Sequence, residues 1–406
     1  MSAHEIVKDI HWVGAVDWDR RHFHGFSYTT PNGTTYNAYL IIDEKITLVD
    51  TVLPEFFGEM ADAISGIIDP KKIEYIIANH VEIDHSGALP RMLELCPNAT
   101  VLCSAKCRDG LKKNYHSDWN FRIVKTGDTV SLGKKTLEFI EAPMIHWPDS
   151  MFTYVREDEL LLPNDAFGQH FASAERFDDE IDERMIMNEA AKYYANILLD
   201  LGSIIHRKLE EVEKMGIPIK IIAPSHGIIW RKDPAKIVEA YKKWSSGVID
   251  SPRVIVIYDT MWGTTEKMAR NIVEGVAAEG VAVRLYRAPF SDHTSILKDV
   301  LDTKGILVGS STIHNSFLPT LASLLEEFET LKPKNRIGAS FGSFGWGRGA
   351  CRRIEESLKA AGIDIVMPAL ETQYVPDKDG FKAYHQFGRD FAKKVKESGV
   401  SVLKEA

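Results

Sequence analysis

Cysteine is scarce in this chain. Four residues in 406 (Cys96, Cys103, Cys107 and Cys351) are too few for a disulfide framework, so a reducing, cytoplasmic setting is expected. Cys103 and Cys107 have the look of half a zinc site, but no second Cys/His pair follows nearby, and buried inert thiols are expected instead. No apolar run approaches the roughly 18 residues of a membrane-spanning helix. The N-terminus, Met1-Ser2-Ala3-His4-Glu5-Ile6, lacks the basic-then-apolar layout of a signal peptide. A basic excess is also missing. With 49 Lys and Arg against 58 Asp and Glu, the net charge is −9, which argues against nucleic acid and anionic membrane as partners.

What the chain does have is two halves with different grammar. Residues 1–248 read as short strands with many turns, followed by helices. The strand candidates are Ala38–Ile42, Thr47–Asp50, Ile73–Ala78, Thr100–Cys103, Thr136–Ile140, Leu160–Leu162 and Ile219–Ala223. Helices are expected over Pro54–Ile67 and, broken, over Asp182–Met215. The stretch Trp244 to Pro252 is small and polar, ends in proline, and marks the domain boundary. From 253 to 400 strands and helices alternate. Strands are expected at Arg253–Tyr258, Ala282–Tyr286, Gly305–Gly309, Arg336–Phe341 and Asp364–Pro368. Helices are expected at Thr265–Glu279, Thr294–Leu301, Leu318–Leu331 and Cys351–Ala361. That alternation implies a doubly wound, five-stranded parallel sheet of the flavodoxin-like kind.

The first half carries the cluster His80-Val81-Glu82-Ile83-Asp84-His85, in which four of the six side chains can bind metal. It follows an apolar strand, so a rigid sheet end would present the ligands. His146, Asp165 and His226 also follow apolar runs. Each alone reads as a hydrogen-bonded structural residue or a turn residue. Together with the cluster they make four imidazoles and three carboxylates, an inventory suited to two metal ions with one bridging carboxylate.

The pattern resembles the metallo-β-lactamase superfamily, an αββα sandwich whose hydrolases carry His-x-His-x-Asp-His. Glu82 stands where those hydrolases have the second His, which adds a hard anionic donor and favours iron over zinc. That departure defines the flavodiiron proteins, also called A-type flavoproteins. The resemblance continues through Gly33–Tyr39, His146–Ser150, Leu162–His170 and Ala223–Trp230. It implies that one iron takes His80, Glu82 and His146, that the other takes Asp84, His85 and His226, and that Asp165 bridges them. His85 stands apart, because in some members the matching His swings off the metal. His24 and Tyr193 are implied to face the open side of the site.

In the second half Thr260, Met261, Trp262, Gly263, Thr264 and Thr265 link a strand to a helix start, where free N–H groups bind phosphate. There is no Walker lysine, which disfavours a nucleoside triphosphate. The loop resembles the flavodoxin phosphate loop, with Trp262 in place of the middle threonine. Two more strand-end loops converge on that edge: Ser311, Thr312, Ile313, His314 and Asn315, and then Ser343, Phe344, Gly345, Trp346, Gly347 and Gly349. They would flank the ring of FMN, with Trp346 a neighbour. Gly345–Ala350 also fits the dinucleotide pattern G-x-G-x-x-A, but it follows a late strand.

The resemblance implies a terminal reductase that passes electrons through FMN to a non-heme diiron site, reducing O2 to water and/or NO to nitrous oxide. It also implies a head-to-tail homodimer or a dimer of such dimers. No C-x2-C pair of an appended rubredoxin is present, so rubredoxin or another external donor is expected. Two rival readings are a zinc hydrolase fused to a flavodoxin domain, and an electron carrier with a purely structural sandwich.

Overall fold

The computed structural model describes residues 3–250 and 252–398. The expected domain limits at 1 and 400 lie outside those residues, as does Ser251 of the expected boundary. The chain divides into two compact units. One comprises Met1–Tyr193 and Ser203–Lys242, the other Tyr194–Gly202 and Lys243–Ala406.

The first unit is built on two sheets. The seven-stranded sheet runs, in spatial order, His4–Val7, Ile10–Trp12, Tyr39–Ile41, Ile46–Val49, Ile73–Ala78, Thr100–Cys103 and Phe121–Ile123. The five-stranded sheet runs Thr129–Ser131, Thr136–Glu141, Met151–Val155, Leu160–Leu162 and Ile221–Ile222. Strand side chains alternate between faces. Trp12, Ile41, Val49 and Ile77 of one sheet therefore meet Leu137, Phe139, Met151 and Leu160 of the other in a common core. The opposite face of the smaller sheet offers Phe152, Leu161 and Ile222 to the helices Gly202–Lys214 and Pro234–Ser246. This is the sandwich that the motif implies.

In the second unit the strands lie in the order Ala282–Arg287, Arg253–Tyr258, Gly305–Ser311, Ile337–Phe344 and Asp364–Ile365, all parallel. The fifth position differs from expectation, because a second short strand, Leu370–Gln373, continues it along the same neighbour. Pro368 lies between the two pieces, and proline has no N–H to give a ladder. Strands buried on both faces read as continuous apolar runs, and Val254–Tyr258 is one, buried throughout.

The expected long helix Asp182–Met215 is broken as anticipated. It forms Glu183–Tyr193, a wide turn over Tyr194–Leu198, a tight turn over Leu199–Leu201, and Gly202–Lys214. All four cysteines are free and buried. No helix among the described residues is long and apolar enough to cross a membrane.

Candidate metal centre and flavin pocket

His80 sits just past the strand Ile73–Ala78, and Asp84 and His85 belong to the one-turn helix Ile83–Ser86 that Glu82 precedes. His146 lies in the loop between Thr136–Glu141 and Met151–Val155, and Asp165 and His226 follow the strands Leu160–Leu162 and Ile221–Ile222. These seven side chains gather into two groups of donor atoms. His80, Glu82, His146 and Asp165 form one, and Asp84, His85 and His226 form the other; within each group the donors lie within 4.8 Å of one another.

Asp165 reaches both groups. Its Oδ2 is 3.4 Å from His146 Nε2, while its Oδ1 is 3.0 Å from His85 Nε2 and 3.4 Å from His226 Nε2. Glu82 Oε2 stands 3.3 Å from both His80 Nε2 and His146 Nε2. Asp84 Oδ2 stands 3.1 Å from His226 Nε2. His24, half exposed, approaches Glu82 Oε1 at 3.3 Å, and the buried Tyr193 hydroxyl donates to Asp165 Oδ1 at 3.0 Å.

Charge pairing dominates the titration of this cluster. Burial alone would raise the Asp165 and Asp84 carboxyls, but the facing imidazoles hold both below the ordinary range. Burial alone would lower the histidines. The facing carboxylates of Asp165 and Glu82 nevertheless push His146 up to about 9, and those of Asp165 and Asp84 push His226 up to about 10. A set of carboxylates and imidazoles that favours positive charge this strongly suits divalent cations. Two observations test the fit. Asp84 Oδ1 and Asp165 Oδ2 are buried without a hydrogen-bond partner, and buried polar atoms are rarely left so. Both belong to the gathered donor sets, so a shared pair of metal ions fits these residues.

Sequence reasoning missed the residues that hold the ligands still. Asp149 Oδ2 pairs with His80 Nδ1 at 3.0 Å and accepts the Val81 N–H at 2.8 Å. His226 Nδ1 donates to the Thr35 carbonyl at 2.6 Å. These contacts fix ring orientation and leave Nε2 for the metal. Beneath them, Asp50 accepts from the Asn79 backbone at 2.8 Å and from Asn164 Nδ2 at 3.2 Å, and Asn164 also reaches Ser225 Oγ at 3.0 Å. One buried polar network thus braces the loops carrying His80, Asp165 and His226. Asp149 and Thr35 lie inside the motifs that carried the resemblance, so their position was a usable signal. Asn164 lies inside such a motif too, whereas Asp50 and Asn79 look like turn residues in sequence and gave no signal.

In the second unit, the loop after Arg253–Tyr258 turns at Gly263, whose φ of +83° suits glycine, into the helix Thr264–Ala278. Thr260 Oγ1 accepts the Gly263 N–H at 3.0 Å, and Thr265 Oγ1 meets Ser311 Oγ at 3.0 Å and Ser343 Oγ at 3.3 Å. The three loops therefore touch at their base. Above that contact is a cavity of about 370 Å³ lined by Met261, Thr312–Asn315 and Gly345–Gly347. A Cβ at Gly349 would lie 2.2 Å from the Asn315 carbonyl oxygen, so this glycine is what lets the second and third loops close together. Trp262 and Trp346 are almost fully exposed beside the cavity. Of the other residues expected at the flavin, Thr260, Trp262, Gly263, Thr264, Thr265, Ser311, Ser343, Phe344 and Gly349 do not line it. Tyr374, exposed and within 3.7 Å of a Cβ built at Gly345, was missed because the fifth strand was read as ending at Pro368. A loop cradle at a helix start, with Trp346 in its lining, fits the phosphate and planar ring of FMN.

A lactamase-type sandwich with two donor groups sharing one carboxylate, and a flavodoxin-type sheet with a phosphate-loop pocket, define a protein that joins a dinuclear metal centre to a flavin. Family models agree: the ODP family β-lactamase model matches residues 34–227 and the flavodoxin model matches 256–388. The nitric oxide reductase of Moorella thermoacetica is 51% identical over 96% of this chain and 98% of its own length. The anaerobic nitric oxide reductase flavorubredoxin of Pectobacterium atrosepticum is 41% identical over 97% of this chain and 77% of its own. Among solved structures, the rubredoxin oxygen:oxidoreductase of Desulfovibrio gigas superposes with a TM-score of 0.95 at 37% identity, covering 98% of this chain and 99% of that one. The flavodiiron protein of Giardia intestinalis gives 0.93 at 32% identity, covering 98% of each chain. The chain belongs to the flavodiiron protein family.

Proposed function

We propose that this protein is a flavodiiron terminal reductase that reduces O2 to water, NO to nitrous oxide, or both. The observation that carries the reading is the pair of donor groups joined through Asp165, with Glu82 among the donors. In this reading His80, Glu82 and His146 would hold one iron and Asp84, His85 and His226 the other, with Asp165 shared between the two sets. Bound iron supplies the redox-active centre at which the diatomic gas is reduced with electrons relayed by FMN.

The chain's own groups orient that site and supply protons. Tyr193 O–H hydrogen-bonds Asp165 and fixes the bridging carboxylate, and in doing so keeps a proton beside the buried face. His24, part exposed and next to Glu82, is placed to carry a proton in from solvent. The loops at Thr260–Thr265, Ser311–Asn315 and Ser343–Gly349 hold FMN.

The names of the relatives support both gases as substrates and rubredoxin as the class of donor. They also favour the reductase over the hydrolase alternative. The domains are proposed at 1–248 for the metal and 253–400 for the flavin, in a cytoplasmic homodimer or dimer of dimers arranged head to tail. An active monomer in equilibrium sedimentation counts against that assembly. The function is tested by measuring bound iron and FMN together with O2 and NO consumption driven by reduced rubredoxin. Iron, flavin and consumption of at least one gas are expected. Zinc with ester hydrolysis and no gas consumption refutes the reading.

A further inference from the structure

The first unit contains an apolar cavity of about 190 Å³ that the roles given above do not use. Its floor is buried and carries Ile145, Phe152, Leu161, Ala166 and Phe167. Ile145 directly precedes His146, and Ala166 directly follows Asp165, so the floor is made from the two loops that deliver metal ligands. Its rim is half-buried and is formed by Leu209, Val212, Ile217 and Val238. The cavity therefore runs from the surface of this unit toward the backbone of the ligand loops.

Its polar surroundings are already committed. Lys208 pairs with Glu211 at 2.6 Å, and Lys242 pairs with Glu239 at 3.2 Å and Glu213 at 3.4 Å. The Tyr241 hydroxyl accepts the Phe167 N–H at 2.8 Å. Each charged side chain that lines the cavity, Lys208, Glu213 and Lys242, thus has an ion-pair partner, and the remaining lining favours a small neutral apolar guest. The size is right for one, since a dry apolar cavity of ~150 Å³ holds xenon or benzene.

We propose that this cavity is a binding site for apolar diatomic gas, through which O2 or NO reaches the metal-ligand loops. The proposal rests on the reductase reading for the identity of the gas. An apolar gas moves from water into an apolar interior favourably, so such a site raises the local substrate concentration beside the ligands.

The test uses crystals of the iron- and FMN-loaded protein pressurised with xenon, together with steady-state kinetics of Val212→Trp and Leu209→Phe. Xenon is expected in the wild-type cavity and absent from both variants. In the variants KM for the gas should rise about threefold while kcat at saturating gas holds, the pattern of slower access to an unchanged reacting centre. Iron and FMN content should be unchanged, which shows that the variants are folded. A wild-type cavity that takes no xenon, or holds a lipid chain instead, overturns the proposal, and so do folded variants with an unchanged KM. Xenon binding needs no turnover, so a wild-type protein that consumes neither gas fails the reductase reading separately.

Discussion

At the scale of single residues, Glu82 separates this site from a zinc hydrolase. Its carboxylate adds negative charge next to His80 and His146, and harder anionic donors favour iron. Glu82→His is expected to lose iron during dialysis and to abolish gas reduction; unchanged iron and turnover would remove the role given to this residue. Asp149 acts one contact further out, through His80 Nδ1. Asp149→Ala should lower metal affinity by roughly 10–100-fold, measured by competition with a chelator, with folding retained by circular dichroism. The titration of the metal-free cluster gives a third outcome. His146 at about 9 and His226 at about 10 are protonated at neutral pH, and each imidazole must lose its proton before it can bind metal. Iron uptake by the metal-free protein at pH 7 should therefore release protons. Its apparent affinity should fall as pH falls from 10 to 6, in proton-release titrations and chelator competition alike. Affinity independent of pH over that range would contradict the assignment.

At the scale of elements, strongly periodic segments were legible and sparse ones were not. Ile73–Ala78, Thr100–Cys103, Leu160–Leu162 and Arg253–Tyr258 are found where the apolar runs place them. The strand Met151–Val155 was missed, although it is buried throughout and Pro148-Asp149-Ser150 supply a turn signal before it, because it directly follows the irregular ligand loop. The helix Lys378–Glu397 was missed too. Its apolar residues Tyr384, Phe387, Phe391 and Val395 sit at helical spacing but are diluted by lysines, aspartates and, mid-helix, Gly388. That glycine has a packing reason. A Cβ at Gly388 would lie 2.2 Å from the Ile272 carbonyl oxygen, and one at Gly275 would lie 2.0 Å from the His385 carbonyl oxygen, so the two helices cross backbone to backbone. Gly388→Ala is expected to destabilise the second unit by about 1–3 kcal/mol, read as a lowered urea midpoint at unchanged m-value. No change in midpoint would show that the crossing relaxes freely.

At the scale of the whole molecule, the four-ligand cluster and the three strand-end loops carried the family, and the structure adds how each is held. The ligand residues are spread from His80 to His226, and only the sandwich topology brings them together. In the bracing network Asn164 and Ser225 lie inside recognisable motifs, but Asp50 and Asn79 have no sequence signature, because short polar residues at strand ends are ordinary turn residues. Metal and flavin together form one electron path to a diatomic gas. It is tested most directly by anaerobic stopped-flow, mixing the fully reduced, iron-loaded protein with O2 and with NO separately while following flavin absorbance. Flavin reoxidation by at least one gas within the mixing experiment is expected, sustained over many turnovers when reduced rubredoxin is present. Flavin that stays reduced with both gases, in protein shown to hold iron and FMN, would contradict it.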